Sequence, residues 1–333
     1  MPVLMPSADV PTIDISPLFG TDPDAKAHVA RQINEACRGS GFFYASHHGI
    51  DVRRLQDVVN EFHRTMTDQE KHDLAIHAYN ENNSHVRNGY YMARPGRKTV
   101  ESWCYLNPSF GEDHPMIKAG TPMHEVNVWP DEERHPDFRS FGEQYYREVF
   151  RLSKVLLLRG FALALGKPEE FFENEVTEED TLSCRSLMIR YPYLDPYPEA
   201  AIKTGPDGTR LSFRDHLDVS MITVLFQTEV QNLQVETVDG WQSLPTSGEN
   251  FLINCGTYLG YLTNDYFPAP NHRVKYVNAE RLSLPFFLHA GQNSVMKPFH
   301  PEDTGDRKLN PAVTYGEYLQ EGFHALIAKN VQT

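Results

Sequence analysis

Apolar residues recur at helical spacing in the first half of the chain and gather in short runs in the second. The helical pattern predicts long helices at 24–37, 52–66 and 138–165 and a last one at 315–329. Two short strands are predicted on either side of the first helix, at 12–15 and 41–45. From residue 187 onward, short or alternating apolar runs predict strands at 187–193, 219–226, 233–238, 251–255, 273–277 and 284–288.

Helices followed by many short strands predict an α+β fold whose core is a sandwich or jelly roll. Asp239-Gly240 is a typical two-residue hairpin turn between the segments LQVETV and WQSL. No internal repeat and no Gly/Ser-rich linker interrupts the chain, so we expect a single domain over 1–333. Within it we expect a helix-rich part (1–180), a strand-rich core (181–295) and a C-terminal helix with a tail (296–333).

Composition narrows the class of protein. Of 333 residues, 40% are hydrophobic, which is enough for a substantial core. The net charge of −14 argues against nucleic-acid binding and against a polybasic membrane surface. No apolar run approaches the roughly 20 residues that span a bilayer, and the N-terminus lacks a signal-peptide pattern. The four cysteines are scattered without a CxxC pair, so we expect reduced thiols in the cytoplasm.

His216 and Asp218 form the most specific chemical motif. In an extended chain, residues two apart point to the same side, so both side chains could bind one metal ion. His272, several predicted strands later, is the natural third ligand. Two imidazoles and one carboxylate form the facial triad of non-haem Fe(II) oxygenases. Because the chain has fifteen histidines, an HxD pair that arose by chance remains an alternative.

Arg281 and Ser283 lie nine and eleven residues after His272 and share one face of a predicted strand. A guanidinium and a hydroxyl side by side suit a carboxylate ligand. A surface ion pair is the alternative for Arg281, although the entrance to an apolar run is an unusual place for one.

The HxD pair, His272-Arg273-Val274 and Arg281-x-Ser283 together have the order and spacing of the 2-oxoglutarate/Fe(II)-dependent oxygenase superfamily. Longer blocks resemble, more narrowly and over essentially the whole chain, the isopenicillin N synthase family. They are RNGYY from Arg87, ESWCYLNP from Glu101, HEVNVWP from His124, RYPY from Arg190, VQNLQVET from Val230 and the final Gln-Thr. The resemblance implies a double-stranded β-helix (jelly roll) core flanked by helices, with an iron site in 181–295.

The resemblance implies a non-haem iron oxidase of penicillin and β-lactam antibiotic biosynthesis. Its reaction closes the tripeptide δ-(L-α-aminoadipoyl)-L-cysteinyl-D-valine into isopenicillin N with Fe(II) and O2, releases water and uses no 2-oxoglutarate. It further implies a cytoplasmic monomer whose partner is the small tripeptide, with no nucleic acid and no membrane. Two alternatives remain open. One is a 2-oxoglutarate-dependent hydroxylase or ring-expanding oxygenase on the same fold, and the other is a metal-free binding or scaffold protein.

The resemblance also implies individual roles, with no catalytic residue beyond the iron site. The metal ligands are His216, Asp218, His272 and, in the resting state only, Gln332. The residues that hold the valine carboxylate are Arg281, Ser283 and Tyr191. The aminoadipoyl carboxylate pairs with Arg87, and the residues nearby are Tyr91 and Thr333. The valine isopropyl group packs against Phe213, Leu225, Leu233, Pro285 and Phe287.

The chain departs from the family pattern beside the HxD pair and near the residues that the resemblance assigns to the aminoadipoyl group. Arg214 precedes the HxD pair where an acidic residue is usual. A serine that contacts the aminoadipoyl group has no clear counterpart, because counting back from Tyr191 reaches Arg185, with Ser183 and Ser186 on either side.

Overall fold

The computed structural model describes residues 3–92, 99–176, 179–303 and 305–320. The strands in these residues are β1 (Thr12–Asp14), β2 (Phe42–Ser46), β3 (Gly89–Met92), β4 (Glu101–Leu106), β5 (Arg185–Tyr191), β6 (Lys203–Thr204), β7 (Arg210–His216), β8 (Ile222–Gln227), β9 (Leu233–Thr237), β10 (Gly240–Ser243), β11 (Phe251–Cys255), β12 (His272–Lys275) and β13 (Arg281–Leu288).

The described strands form two sheets. The larger has the order β1-β2-β11-β8-β13-β5-β4-β3, and its pairs are antiparallel except β1–β2. The smaller has the order β10-β9-β12-β7-β6 and is antiparallel throughout. The predicted α+β fold with a jelly-roll core is therefore confirmed.

Helices flank the larger sheet. Their bounds are α1 (Pro23–Gly39), α2 (Val52–Thr65), α3 (Asp68–Asp73), α4 (Pro115–Lys118), α5 (Phe138–Val155), α6 (Ala162–Ala164), α7 (Glu173–Val176) and α8 (Thr257–Leu262). A π-helical stretch, Leu156–Phe161, joins α5 to α6, and the short 3-10 helices are Ser16–Phe19, Glu179–Thr181 and Glu199–Ala201. Residues 315–320 are also helical. No helix within the described ranges is long and apolar enough to cross a membrane.

Strand β13 separates the helix-packed core from the interior between the sheets. Alternate residues of a strand point to opposite faces. Phe286 packs against Tyr146 and Phe150 of α5, with ring centroids 5.2 and 6.5 Å away. Its neighbours Pro285 and Phe287 therefore face the space between the two sheets. The buried core thus fixes which residues of β13 line that space.

The predicted elements differ from the structure at their ends, and the predicted strands do not include β3, β4, β6, β7 or β10. The helices at 24–37 and 52–66 are confirmed within two residues at each end, and the strand at 251–255 matches β11. Strands β3 and β4, which join the larger sheet, were not predicted. Strand β7 was not predicted either, because its sequence is mostly polar and lacks an apolar run. The helix expected at 315–329 lies outside the described residues beyond 320, and the division into three parts stays a prediction.

Candidate metal centre and adjoining cavity

The pairing of β7 with β12 brings two histidines together. His216 and His272 are register partners, and their ring centroids are 4.2 Å apart. Asp218 follows in the loop after β7, with Oδ1 3.6 Å from Nε2 of His216 and 3.8 Å from Nε2 of His272. One ligand atom from each residue lies within 4.8 Å of the others. The structure therefore brings the three predicted metal ligands to one point.

His216 and Asp218 were expected to project to the same side of an extended chain, and their side chains do converge, although only His216 lies in a strand. His216 ends β7, and the chain leaves the strand before Asp218. The backbone carbonyl of Asp218 accepts a hydrogen bond from Thr257 N–H (2.8 Å), which fixes the loop. Asp218 thus reaches the histidines from a turn.

Hydrogen bonds orient both imidazole rings toward the common point. Nδ1 of His216 donates to the carbonyl oxygen of Arg214, and Nδ1 of His272 donates to that of Pro270, each over 3.0 Å. A neutral imidazole carries hydrogen on one nitrogen only, so each Nε2 keeps its lone pair for a metal.

Two residues that were not predicted hold the carboxylate of Asp218. Its Oδ2 accepts hydrogen bonds from Thr223 Oγ1 (2.8 Å) and Asn254 Nδ2 (3.0 Å), which leaves Oδ1 toward the histidines. Burial alone would raise the pKa of Asp218, but the adjacent histidines and these hydrogen bonds hold it below its usual range. Burial and the neighbouring His272 lower the pKa of His216 to about 4. Asp218 and His216 are therefore in their metal-binding forms at neutral pH.

A cavity of about 200 Å³ adjoins the three ligands, between the two sheets. The predicted binding residues that line it are Tyr191, Phe213, Leu225, Leu233, Arg281, Ser283, Pro285 and Phe287. Lining residues that were not predicted include Phe42, Leu187, Ile189, Gln227, Asn232 and Val274. Two of them, Leu187 and Ile189, lie on β5 at two-residue spacing from Tyr191 and therefore share its face of the strand. This spacing could have identified both as lining residues from the sequence.

Arg281 brings a buried positive charge into this cavity. The residue is 5% exposed, and its guanidinium carbon lies 3.3 Å from the centre of the Tyr191 ring. Within the described ranges, its Nε and Nη2 have no hydrogen-bond partner. Burial lowers the pKa of Arg281, yet a guanidinium stays protonated in proteins. Buried donors without acceptors are costly, so the site favours an anionic ligand.

The cavity is polar at two ends and apolar between them. Register pairs of β13 and β8 follow one another from the metal ligands toward Arg281: Phe287–Thr223, Pro285–Leu225 and Ser283–Gln227. Arg281 precedes Ser283 by two residues on β13, so it lies at the end of this row that is away from Thr223 and the candidate metal ligands. A small ligand with one carboxylate fits such a gradient.

Arg87 and Tyr91 lie outside the lining of this cavity, in a second polar cluster. Nη1 of Arg87 donates to Sδ of Met123 (2.7 Å), and its backbone N–H donates to Glu125 Oε2 (2.9 Å). Burial and the nearby Arg185 lower the pKa of Arg87 to about 10. Burial also disfavours the charged form of Tyr91, which raises the pKa of its phenol to about 12.

The candidates for the missing serine have different surroundings. The hydroxyl of Ser183 lies 3.3 Å from Nδ1 of His289, and both residues are buried. Ser186 is buried and is the register partner of Tyr105 on β4. Arg185 extends into the second polar cluster. Gln332 and Thr333 lie outside the described residues.

Two family profiles match the chain. The profile described as "2OG-Fe(II) oxygenase superfamily" matches residues 183–290, which include the three metal ligands and Arg281. The profile described as "non-haem dioxygenase in morphine synthesis N-terminal" matches residues 10–132.

Curated relatives match over nearly the full chain. The chain is 74% identical to the isopenicillin N synthase of Streptomyces griseus over 333 residues, covering 100% of both. It is 80% identical to that of Streptantibioticus cattleyicolor, covering 97% of this chain and 99% of the relative. Identity to the Penicillium rubens isopenicillin N synthase is 55%, covering 98% and 99%.

Solved structures with the same fold are more distant in sequence. A putative 2OG-Fe(II) oxygenase family protein from Caulobacter crescentus superposes with a TM-score of 0.76 at 20% identity, covering 96% of this chain and 99% of that one. The rice dioxygenase for auxin oxidation superposes with a TM-score of 0.68 at 19% identity, covering 95% and 96%.

Proposed function

The chain belongs to the isopenicillin N synthase family, and on that premise we propose the substrate and the roles of its residues. It is a non-haem iron oxidase. The proposed substrate is δ-(L-α-aminoadipoyl)-L-cysteinyl-D-valine. One C–N and one C–S bond form as four hydrogens leave the tripeptide, and O2 takes them up as two molecules of water, giving isopenicillin N. The electrons balance without 2-oxoglutarate.

One observation carries the proposal: the triad and Arg281 occupy opposite ends of one cavity in a chain 74% identical to a named synthase. The donor set suits Fe(II), since two Nε2 lone pairs and one carboxylate oxygen converge. His216, Asp218 and His272 would hold the metal. When bound, iron supplies the activation of dioxygen and the electron transfer that the side chains lack.

The remaining residues bind and position the tripeptide. Arg281 neutralises the valine carboxylate through its two unmet donors, assisted by Ser283 and Tyr191. The apolar middle of the cavity packs the isopropyl group and excludes water; its proposed residues are Phe213, Leu225, Leu233, Pro285 and Phe287. With the carboxylate fixed at one end, the cysteine and valine side chains extend toward the metal.

The other end of the tripeptide is assigned to the second polar cluster. We propose that Arg87 pairs with the aminoadipoyl carboxylate and that Tyr91 lies beside it. Gln332 as a resting-state metal ligand and Thr333 as a substrate neighbour stay predictions from the sequence.

We further propose a cytoplasmic monomer. The four cysteines are free and buried, which suits a reducing compartment.

A 2-oxoglutarate-dependent reaction is the second candidate, because the carboxylate of 2-oxoglutarate would suit Arg281 and Ser283 equally well. The two reactions leave different products. The cosubstrate reaction forms succinate and CO2 in step with turnover, whereas bicyclisation forms neither.

The test incubates the protein anaerobically with Fe(II) and the tripeptide and then admits O2. We expect a product four hydrogens lighter than the tripeptide, with antibacterial β-lactam activity. His216→Ala should abolish the product and should lower Fe(II) affinity. Absence of the lighter product with wild-type protein would overturn the proposal.

A further inference from the structure

Arg185, the first residue of β5, borders both residues assigned to the aminoadipoyl carboxylate. Its Nε donates to Sγ of Cys104 (2.7 Å), and that thiol donates to the backbone carbonyl of Arg87 (3.0 Å). Its guanidinium carbon lies 5.0 Å from the centre of the Tyr91 ring. Cys104 therefore links Arg185 to the segment that carries Arg87, and Tyr91 packs against the guanidinium.

The guanidinium groups of Arg87 and Arg185 and the carboxylate of Glu125 lie together in the second polar cluster. Glu125 is the carboxylate that acts on both Arg87 and Arg185. It already accepts hydrogen bonds from the backbone N–H of Arg87 (2.9 Å) and from Asn88 Nδ2 (2.9 Å). His289 adds no charge, because burial and the two arginines lower its pKa to about 3. Glu125 therefore acts on both guanidinium groups while its Oε2 already accepts from backbone and amide N–H groups.

The charge of Arg185 lowers the pKa of Arg87, so the two guanidinium groups repel one another and an anion bound between them relieves that repulsion. A carboxylate has about four acceptor sites on two oxygens, so it can accept from two guanidinium groups at once. Arg185 also occupies the position that counting back from Tyr191 gives for the expected serine. Its guanidinium is a charged, forked donor.

We propose that Arg185 is a substrate-binding residue that, together with Arg87, binds the distal carboxylate of the tripeptide and selects for its negative charge. This inference rests on the proposed function. It adds a second guanidinium to the site and assigns it a selectivity: a ligand with a neutral distal group loses the contacts of both arginines.

The test compares two ligands and measures binding, so that turnover does not enter. One is the natural tripeptide, and the other carries a carboxamide in place of the distal carboxylate. Dissociation constants are measured by calorimetry on the Fe(II)-loaded full-length protein without O2. The variants are Arg185→Gln, which removes the charge, and Arg185→Lys, which keeps the charge and loses the fork. The exposed Arg151→Gln on α5 is the matched control.

We expect Arg185→Gln to weaken binding of the natural tripeptide about tenfold or more and binding of the carboxamide less than twofold. Arg185→Lys should give a smaller loss, again confined to the natural tripeptide, and it decides the matter if the Gln variant fails to fold. Arg151→Gln should change neither.

Equal weakening of both ligands by an Arg185 substitution would overturn the inference, because it would mean that Arg185 only supports Cys104 and Tyr91. Unchanged affinity for the natural tripeptide would overturn it as well. In either case the proposed function stands if wild-type protein binds and cyclises the tripeptide. Wild-type protein that binds neither ligand would overturn both.

Discussion

The side chains around Asp218 decide which of its two carboxylate oxygens faces the histidines. Thr223 and Asn254 occupy Oδ2, so Oδ1 is the oxygen directed at a metal. Residues that hold a metal ligand in this way commonly change metal affinity when they are removed. Neither was predicted, although a polar residue inside a buried strand needs a partner and this rule could have drawn attention to both.

Asn254→Ala should therefore lower Fe(II) affinity about 10- to 100-fold with all three ligands intact. The loss follows because Asp218 is then free to turn its carboxylate. Anaerobic metal titration measures the change. Asn232→Ala is the control, since Asn232 lines the same cavity and has no hydrogen bond to Asp218. Equal Fe(II) affinities in the Asn254 variant and wild type would contradict this role.

Strands and loops bring these side chains together, and the sequence predicts some of these strands but not others. The motif residues could be found from their spacing, and β8, β11 and β13 could be found because burial of a strand leaves a continuous or alternating apolar run. Strand β7 could not, since only Leu211 is buried in it and polar residues dominate. The pairing of His216 with His272 depends on strand register, which the separation along the chain does not encode.

A close approach between backbones fixes the loop that carries Asp218. A methyl group on Gly256 would lie 2.0 Å from the carbonyl oxygen of Ser220. Gly256 N–H also donates to Met221 O (2.9 Å). The stretch between β11 and α8 therefore packs directly against the loop between β7 and β8.

Gly256→Ala should lower the free energy of unfolding by about 2 kcal/mol or more and should weaken Fe(II) binding, because Ser220 must move. Denaturant unfolding and metal titration measure the two effects. Gly111→Ala is the matched control, since no atom lies within 4 Å of the added methyl group. If both variants proved equally stable, the close approach would have no energetic weight.

The stability of the protein as a unit depends on buried histidines that fold in the neutral form. His63 is 1% exposed; Nε2 donates to Met188 O (2.8 Å), and Nδ1 accepts from the Tyr90 hydroxyl (3.1 Å). Burial lowers its pKa to about 4. The unfolded chain, with a histidine pKa near 6.5, binds a proton that the folded chain excludes, so stability falls as pH falls from about 6.5 toward 4.

Lowering the pH from 7 to 5 should thus lower the unfolding free energy of the wild-type protein by about 2 kcal/mol through His63. His63→Gln removes this titration, so the variant, less stable at pH 7, should approach wild type at pH 5. Urea unfolding at the two pH values measures the difference. A stability gap independent of pH would show that His63 does not titrate in this way.

The proposed reaction differs from its nearest alternative in the source of the electrons that reduce O2. The most direct measurement is O2 uptake per isopenicillin N formed by the Fe(II)-loaded protein, with and without 2-oxoglutarate. We predict one O2 per product in both cases and no succinate. Product formation that requires 2-oxoglutarate and yields one succinate per turnover would contradict the proposed function.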